Sequence, residues 1–178
     1  HALLRQEMAK LSVGSSLDEA SRVGPLISQR QQINVRGLLE QGEEQGATLI
    51  AEAGAAPEQG FFVQPRAYAV TESNVLAVNE IFGPVLSVLT YTDVDDAVRL
   101  ANATAYGLAA AVWGEEGEAV TVARRIRAGQ VDINGARFNA LAPFGGYKQS
   151  GVGREGGLFG VEEFLQVKSI QVNLSSGG

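Results

Sequence analysis

The run Gly151-Val152-Gly153-Arg154-Glu155-Gly156 fits the G-x-G-x-x-G spacing of a dinucleotide-binding turn letter for letter. In such a turn the glycines let the backbone approach a pyrophosphate, whose charge sits at a helix N-terminus. That chemistry needs a strand leading into the first glycine, a helix starting at the third, and an acidic residue beyond a second strand. Here "FGGYKQS" precedes the run and Gly157 follows it, so no strand-turn-helix unit surrounds the glycines. The adjacent "GGYKQS" also fails the P-loop pattern, because Lys148 does not directly precede Ser150. By spacing alone, residues 143–157 form a glycine-rich loop held by tight turns, and the fingerprint is accidental.

Other chemistry is scarce. The 178 residues contain no Cys and one His, His1 at the extreme end. Disulfides, thiolate metal sites and a Cys nucleophile are thereby excluded within these residues, and a Ser-His-Asp triad or His-rich metal centre has nothing to build on. A hydrolase reading fails for want of a nucleophile-base pair. The formal net charge is −6 with no Lys/Arg block, which argues against nucleic acid and anionic membrane as partners. No apolar run approaches the length that spans a bilayer, and the first residues do not read as a signal peptide. There is no initiator Met, and "HALLRQEMAKL" reads as an amphipathic helix already under way. The chain is therefore expected to be a fragment or processed product that works as part of something larger.

The elements that must position any site follow from periodicity. A helix is predicted over 2–10 and a Gly/Ser/Pro-rich loop over 11–27. Ser28 caps a helix over 29–45 that buries Ile33, Leu38 and Leu39 and ends at Gly46. "ATLIAE" (47–52) is a short strand, and "FFVQPRAYAV" (61–70) is extended and broken by Pro65. From residue 85 the pattern alternates: strand 85–91, helix 94–103 capped by Asp93, strand 108–113, helix 115–128 and strand 131–134. The apolar run 108–113 reads as a strand buried on both faces. This β-α-β-α-β order predicts an α/β fold with a parallel sheet and right-handed crossovers. The irregular stretch 135–157 leads to a short helix (158–165) and a last strand, "VKSIQVNL" (167–174), outside that rhythm.

Taken with its flanks, the glycine loop means more. "NEIFGPVL" (79–86), "NATAYGLAAAVW" (102–113), "GQVDIN" (129–134) and "PFGGYKQSGVGREGG" (143–157) occur in this order. "VGPLIS" (23–28), "GATLIAE" (46–52) and "GFFVQP" (60–65) precede them. Together they resemble the C-terminal, catalytic-domain part of the NAD(P)-dependent aldehyde dehydrogenase superfamily over almost the entire chain. The resemblance implies a partial catalytic domain over 1–166 and, over 167–178, a C-terminal arm carrying an oligomerisation strand.

In that family a Cys thiolate attacks an aldehyde, hydride passes to NAD or NADP, and a Glu-activated water hydrolyses the thioester. Matching "EIFGP" to the family motif places Glu80 where a carboxylate accepts hydrogen bonds from the nicotinamide-ribose hydroxyls, a task two oxygens suit. Phe82 falls where a ring packs on the nicotinamide side of the cofactor. Phe144 matches the aromatic lining the substrate tunnel, and the loop 135–142 falls where the family varies its substrate access. Arg137 and Phe138 are accordingly substrate-binding candidates, Arg137 pointing to a polar or acidic substrate. Asn134 is read as positioning its loop, and Lys148, Ser150, Arg154 and Glu155 resemble residues that brace the glycine loop and a subunit contact.

The family's Cys, its general base, its oxyanion-stabilising Asn and the domain holding the adenosine half all belong upstream of the represented segment. No catalytic residue and no metal ligand is therefore assigned within this chain, and the fragment alone is expected to be inactive. Asn79 stands where an acidic residue is common, a tolerable change. The full-length protein is expected to be a cytoplasmic homo-oligomer, dimer or tetramer, acting on a small aldehyde. The alternative is a truncated, non-catalytic relative serving as an oligomerisation module. Upstream sequence containing the Cys motif separates the two.

Overall fold

The computed structural model describes residues 1–173. Helix α1 (Ala2–Met8) presents Met8 to a small cluster with Ile50, Ala51 and Ala67. Arg5 ties the helix down further, donating from Nε to the Ile50 carbonyl at 2.7 Å. The loop after α1 is closed by a single bridge between Val13 and Val23.

Helix α2 (Gln29–Glu44) starts where the sequence says it should. The Ser28 side chain accepts from the Gln31 N–H, satisfying one of the donors a first turn leaves open. Its end is marked by Gly46 at φ +90, a conformation open to glycine and penalised for residues with a Cβ. The buried stripe is Gln32, Val35, Leu39 and Gly42. Leu39 was expected there and Leu38 packs at its edge, but Ile33 is 63% exposed. Gln32 displaces it inward because its amide donates to the carbonyls of Phe62 and Gly60, at 2.8 and 3.2 Å. A polar residue with satisfied donors thus takes a place that apolar counting assigns to an isoleucine.

Strands β1 (Thr48–Glu52), β2 (Arg66–Ala69) and, after helix α3 (Val75–Val78), β3 (Val85–Val88) form one sheet in the order β1-β2-β3. β1 runs antiparallel to β2 with an irregularity between Leu49 and Ala51, and β3 runs parallel to β2. Alternation along β2 sends Tyr68 to one face, among Val35, Leu39, Leu76 and Ile81, and Ala67 to the other, with Met8 and Ile50. The first unit, His1–Thr104, is thus a sheet with α2 and α3 on one side and α1 on the other. Asn74 caps α3, accepting from the Leu76 N–H and donating to the Gly42 carbonyl, each at 3.0 Å.

Helix α4 (Val94–Ala101) closes this unit. Asp93 accepts from the Asp96 N–H at 2.8 Å, the cap expected from sequence. Asp96 accepts in turn from the Thr92 N–H, and that backbone bond, then Arg99, holds its carboxyl below the ordinary range. Replacing either cap, Ser28→Ala or Asp93→Ala, is expected to remove about 1 kcal/mol of stability. Denaturant titration of each variant measures the loss, and an unchanged midpoint in both contradicts the capping account.

The second unit begins at Ala105. Strands β4 (Ala109–Val112) and β5 (Gln130–Ile133) pair in parallel, with helix α5 (Glu116–Ala123) as the crossover packed on both. A short 3₁₀ turn (Lys148–Ser150) and helix α6 (Gly157–Glu162) follow. Three expectations change. β3 and β4 lie in different sheets: β3 is the edge strand of the first, paired with β2 alone, and β4 pairs with β5. β4 alternates exposed and half-buried residues rather than burying both faces, its main helical cover among the described residues being α5. Residues 167–173 form no strand, having no ladder partner among the described residues, and Leu174 lies outside those described.

Candidate functional site

The "EIFGP" stretch follows α3 directly and is shaped by one core residue. Ile81 is buried in the cluster with Val35, Leu76 and Tyr68, so its neighbours Glu80 and Phe82 are turned outward. Glu80 is exposed, and among the described residues no side-chain hydrogen bond or ion pair engages its carboxylate. Phe82 is 71% exposed and its backbone sits at φ +49. A bulky aromatic in the left-handed region is a true outlier, costing on the order of 1–3 kcal/mol.

That conformation is held from α2. Gln31 donates from Nε2 to the carbonyls of both Ile81 and Phe82, at 3.0 and 3.1 Å. Two such bonds contribute about 0.5–1.5 kcal/mol each, enough to offset the strain. Next to them Gly83 lies so close to α2 that a Cβ there would meet Val35 Cγ2 at 2.9 Å. The loop is therefore seated by a missing side chain and clamped by an amide, with a carboxylate and a ring left facing outward.

In the second unit the glycine loop is braced residue by residue. Phe144 and Glu155 exchange backbone hydrogen bonds, 2.7 and 2.6 Å, closing the loop between them. Arg154 donates to the carbonyls of Gly146 and Gly153 and lies over the Tyr147 ring at 5.3 Å. Ser150 Oγ accepts from the Gly107 N–H, and Gly107 O accepts from the N–H of both Tyr147 and Gly129. The loop backbone also runs against the start of β5: a Cβ on Gly129 would lie 1.5 Å from the Gly145 carbonyl oxygen.

These contacts enclose one side of an open cleft of about 760 Å³ lined by Phe144, the glycines of the loop and residues of α6. Phe144 is half-buried in its wall. Arg137 and Phe138 are both exposed and do not line it. The six-residue G-x-G-x-x-G run follows the 3₁₀ turn rather than a strand, so the fingerprint is absent in structure as in context. Asn134, at φ +52, pairs its amide with both the N–H and the carbonyl of Gly114, at 3.0 and 2.9 Å. It fastens the end of β5 to the end of β4, which is a positioning task.

The structure thus keeps Glu80 and Phe82 together on one loop of the first unit, and Arg137, Phe138 and Phe144 in the second. Sequence reasoning missed Gln31. The signal it offered misleads: Ser28-x-x-Gln31 has the spacing of a capping box, in which the glutamine reaches back to its own N-terminus. Here its amide nitrogen goes to another segment instead. Among the described residues no group of three or more His, Asp or Glu could hold a metal, and no helix is long and apolar enough to cross a membrane.

Residues 1–170 match the aldehyde dehydrogenase family. A Staphylococcus saprophyticus protein that carries the family's name is 45% identical over 172 residues, which is 94% of this chain and 36% of the relative. Aldehyde dehydrogenase C from Pseudomonas syringae, solved as a mutant with NAD+ and octanal, is 42% identical with a TM-score of 0.89. That match covers 95% of this chain and 36% of the Pseudomonas chain. The Mycobacterium tuberculosis aldehyde dehydrogenase complexed with NAD+ is 40% identical with a TM-score of 0.90, over 99% of this chain and 38% of that one. This chain therefore spans a little over a third of the proteins it matches. With its α/β units and parallel strands superposing on such enzymes, the chain belongs to the aldehyde dehydrogenase family.

Proposed function

We propose that this chain is the C-terminal part of an NAD(P)+-dependent aldehyde dehydrogenase that oxidises an aldehyde to a carboxylic acid through a thioester on a Cys outside these residues. The observation that carries the reading is the outward-facing pair on the "EIFGP" loop. Glu80 offers an unengaged carboxylate with two acceptor oxygens, which suits adjacent ribose hydroxyls. Phe82 offers an exposed ring on a backbone kept in a sparsely populated conformation, the kind of strain that gathers at ligand clamps. These two residues hold and orient the nicotinamide half of the dinucleotide, which when bound supplies the two-electron acceptor for the aldehyde. The NAD+ present in the related Pseudomonas and Mycobacterium structures favours NAD+ as that acceptor.

Phe144 supplies an apolar wall to the substrate side, where excluding water protects the reacting carbonyl carbon. Arg137 and Phe138, exposed on the loop before it, select among aldehydes at the mouth of the path. Residues 1–166 act as part of the catalytic domain and 167–178 as the arm that joins the homo-oligomer. The exposed Val167, Ile170 and Val172 support that role, since each leaves apolar surface for a partner to cover.

The chain has no Cys, so purified on its own it is expected to give no reduction of NAD(P)+ with any aldehyde. Joined to an upstream segment that supplies the Cys, it is expected to give aldehyde-dependent absorbance at the NADH wavelength. Turnover by the isolated chain, or none by the joined protein, overturns the reading.

A further inference from the structure

We infer that Gln31 is a positioning residue for the cofactor loop: through the carbonyls of Ile81 and Phe82 it holds the ring of Phe82 outward and so sets the enzyme's affinity for the dinucleotide. The inference rests on the reading of Glu80 and Phe82 as cofactor residues, and adds a residue about fifty positions away in sequence. Three observations carry it. Both carbonyl contacts come from one amide, at 3.0 and 3.1 Å, on the third residue of a long helix whose own N-terminus is capped separately by Ser28. The backbone they grip is the one non-glycine position of the first unit with a positive φ among the described residues. The same helix buttresses the loop one residue further on, through the close approach of Gly83 to Val35.

The two carbonyls flank the φ and ψ bonds of Phe82, so a return to an ordinary negative φ moves one against the other and breaks at least one of the two bonds. Without the donors of Gln31 nothing opposes that return. The exposed ring then leaves the position that its present backbone gives it. Gln31 is only half-buried and α2 is anchored by Val35 and Leu39. Removing its donors therefore alters the loop without removing a core contact.

The test uses Gln31→Met, nearly isosteric and without donors, and Gln31→Glu, which places an acceptor against the two carbonyls. Glu80→Gln is the parallel variant. In the labelled chain, a residue at positive φ gives a strong NOE between its own N–H and Hα, and this signal for Phe82 is expected to vanish in both Gln31 variants. In the full-length enzyme the KM for NAD(P)+ is expected to rise ten-fold or more, with the KM for aldehyde and the Tm near wild type. If Phe82 keeps its signal and the dinucleotide KM is unchanged while Glu80→Gln impairs the enzyme, the Gln31 inference is overturned and the cofactor reading stands. If the signal vanishes but neither Gln31→Met nor Glu80→Gln alters dinucleotide kinetics, the clamp stands and the cofactor reading falls.

Discussion

Replacing Glu80 with Gln in the full-length enzyme is expected to lower kcat/KM for the dinucleotide about 10- to 100-fold while leaving the melting temperature where it was. Hydrogen bonds to a charged group contribute roughly 1.5–3 kcal/mol, and each 1.4 kcal/mol is a factor of ten. Gln keeps the shape but exchanges one acceptor oxygen for a donor, so it can serve only one of two hydroxyls well. Stability is spared because the Glu80 carboxylate is exposed and, among the described residues, makes no side-chain hydrogen bond or ion pair. Steady-state kinetics with the dinucleotide varied at saturating aldehyde measure the effect. Wild-type kinetics in this variant would remove the carboxylate from the cofactor site, and a collapse of Tm would make Glu80 a structural residue.

The difference between Glu80 and Gln31 shows what a sequence can and cannot display. Glu80 sits inside a contiguous motif, and the local rule that turns it outward is also local: a buried Ile81 between two exposed neighbours. The caps at Ser28 and Asp93 were legible for the same reason, since donor and acceptor lie within one turn. Gln31 acts across fifty residues, and nothing near it in the chain announces the target. The same distinction explains the misplaced Ile33. Helical spacing marks one stripe correctly through Leu39, but which residue leads that stripe depends on carbonyls of Gly60 and Phe62 that happen to lie under Gln32.

Strand partners fail in the same way. The β4-α5-β5 unit was readable because its joints are short and its crossover is local. The partner of β3 was not, because β2 lies within a segment, 61–70, that reads as merely extended and broken by Pro65. Pro65 in fact stops just short of the ladder, at a position where the missing N–H removes no bond within β2. For 167–173 the composition favours a strand, but a strand exists only where a ladder partner does, and these residues have none among those described.

Gly129→Ala is expected to be the most damaging single-methyl change in the second unit, lowering stability by about 3 kcal/mol, the upper end of overpacking penalties. No positive φ is needed at this position, so the cost is purely steric. An added Cβ would lie 1.5 Å from the Gly145 oxygen and 2.7 Å from its carbon, where ordinary van der Waals contact is more than twice the shorter value. The obstacle is backbone on both sides and cannot rotate away. Gly129 is held by its N–H to Gly107, and Gly145 is held because Phe144 beside it is paired at both N–H and carbonyl with Glu155. Relief therefore requires either β5 to leave its register or the loop bearing Phe144 to lift, and the second route carries the proposed substrate wall with it. For a chain of this size the loss corresponds to roughly 6–12 °C in Tm. Gly37→Ala supplies the contrast: it lies mid-α2 with nothing within 4 Å of the added Cβ. There the same methyl is expected to stabilise by about 0.4–1 kcal/mol, by restricting the unfolded chain. Thermal melts of the two variants should shift in opposite directions. A Gly129→Ala chain that melts like wild type would mean that the loop and β5 are not in contact as described.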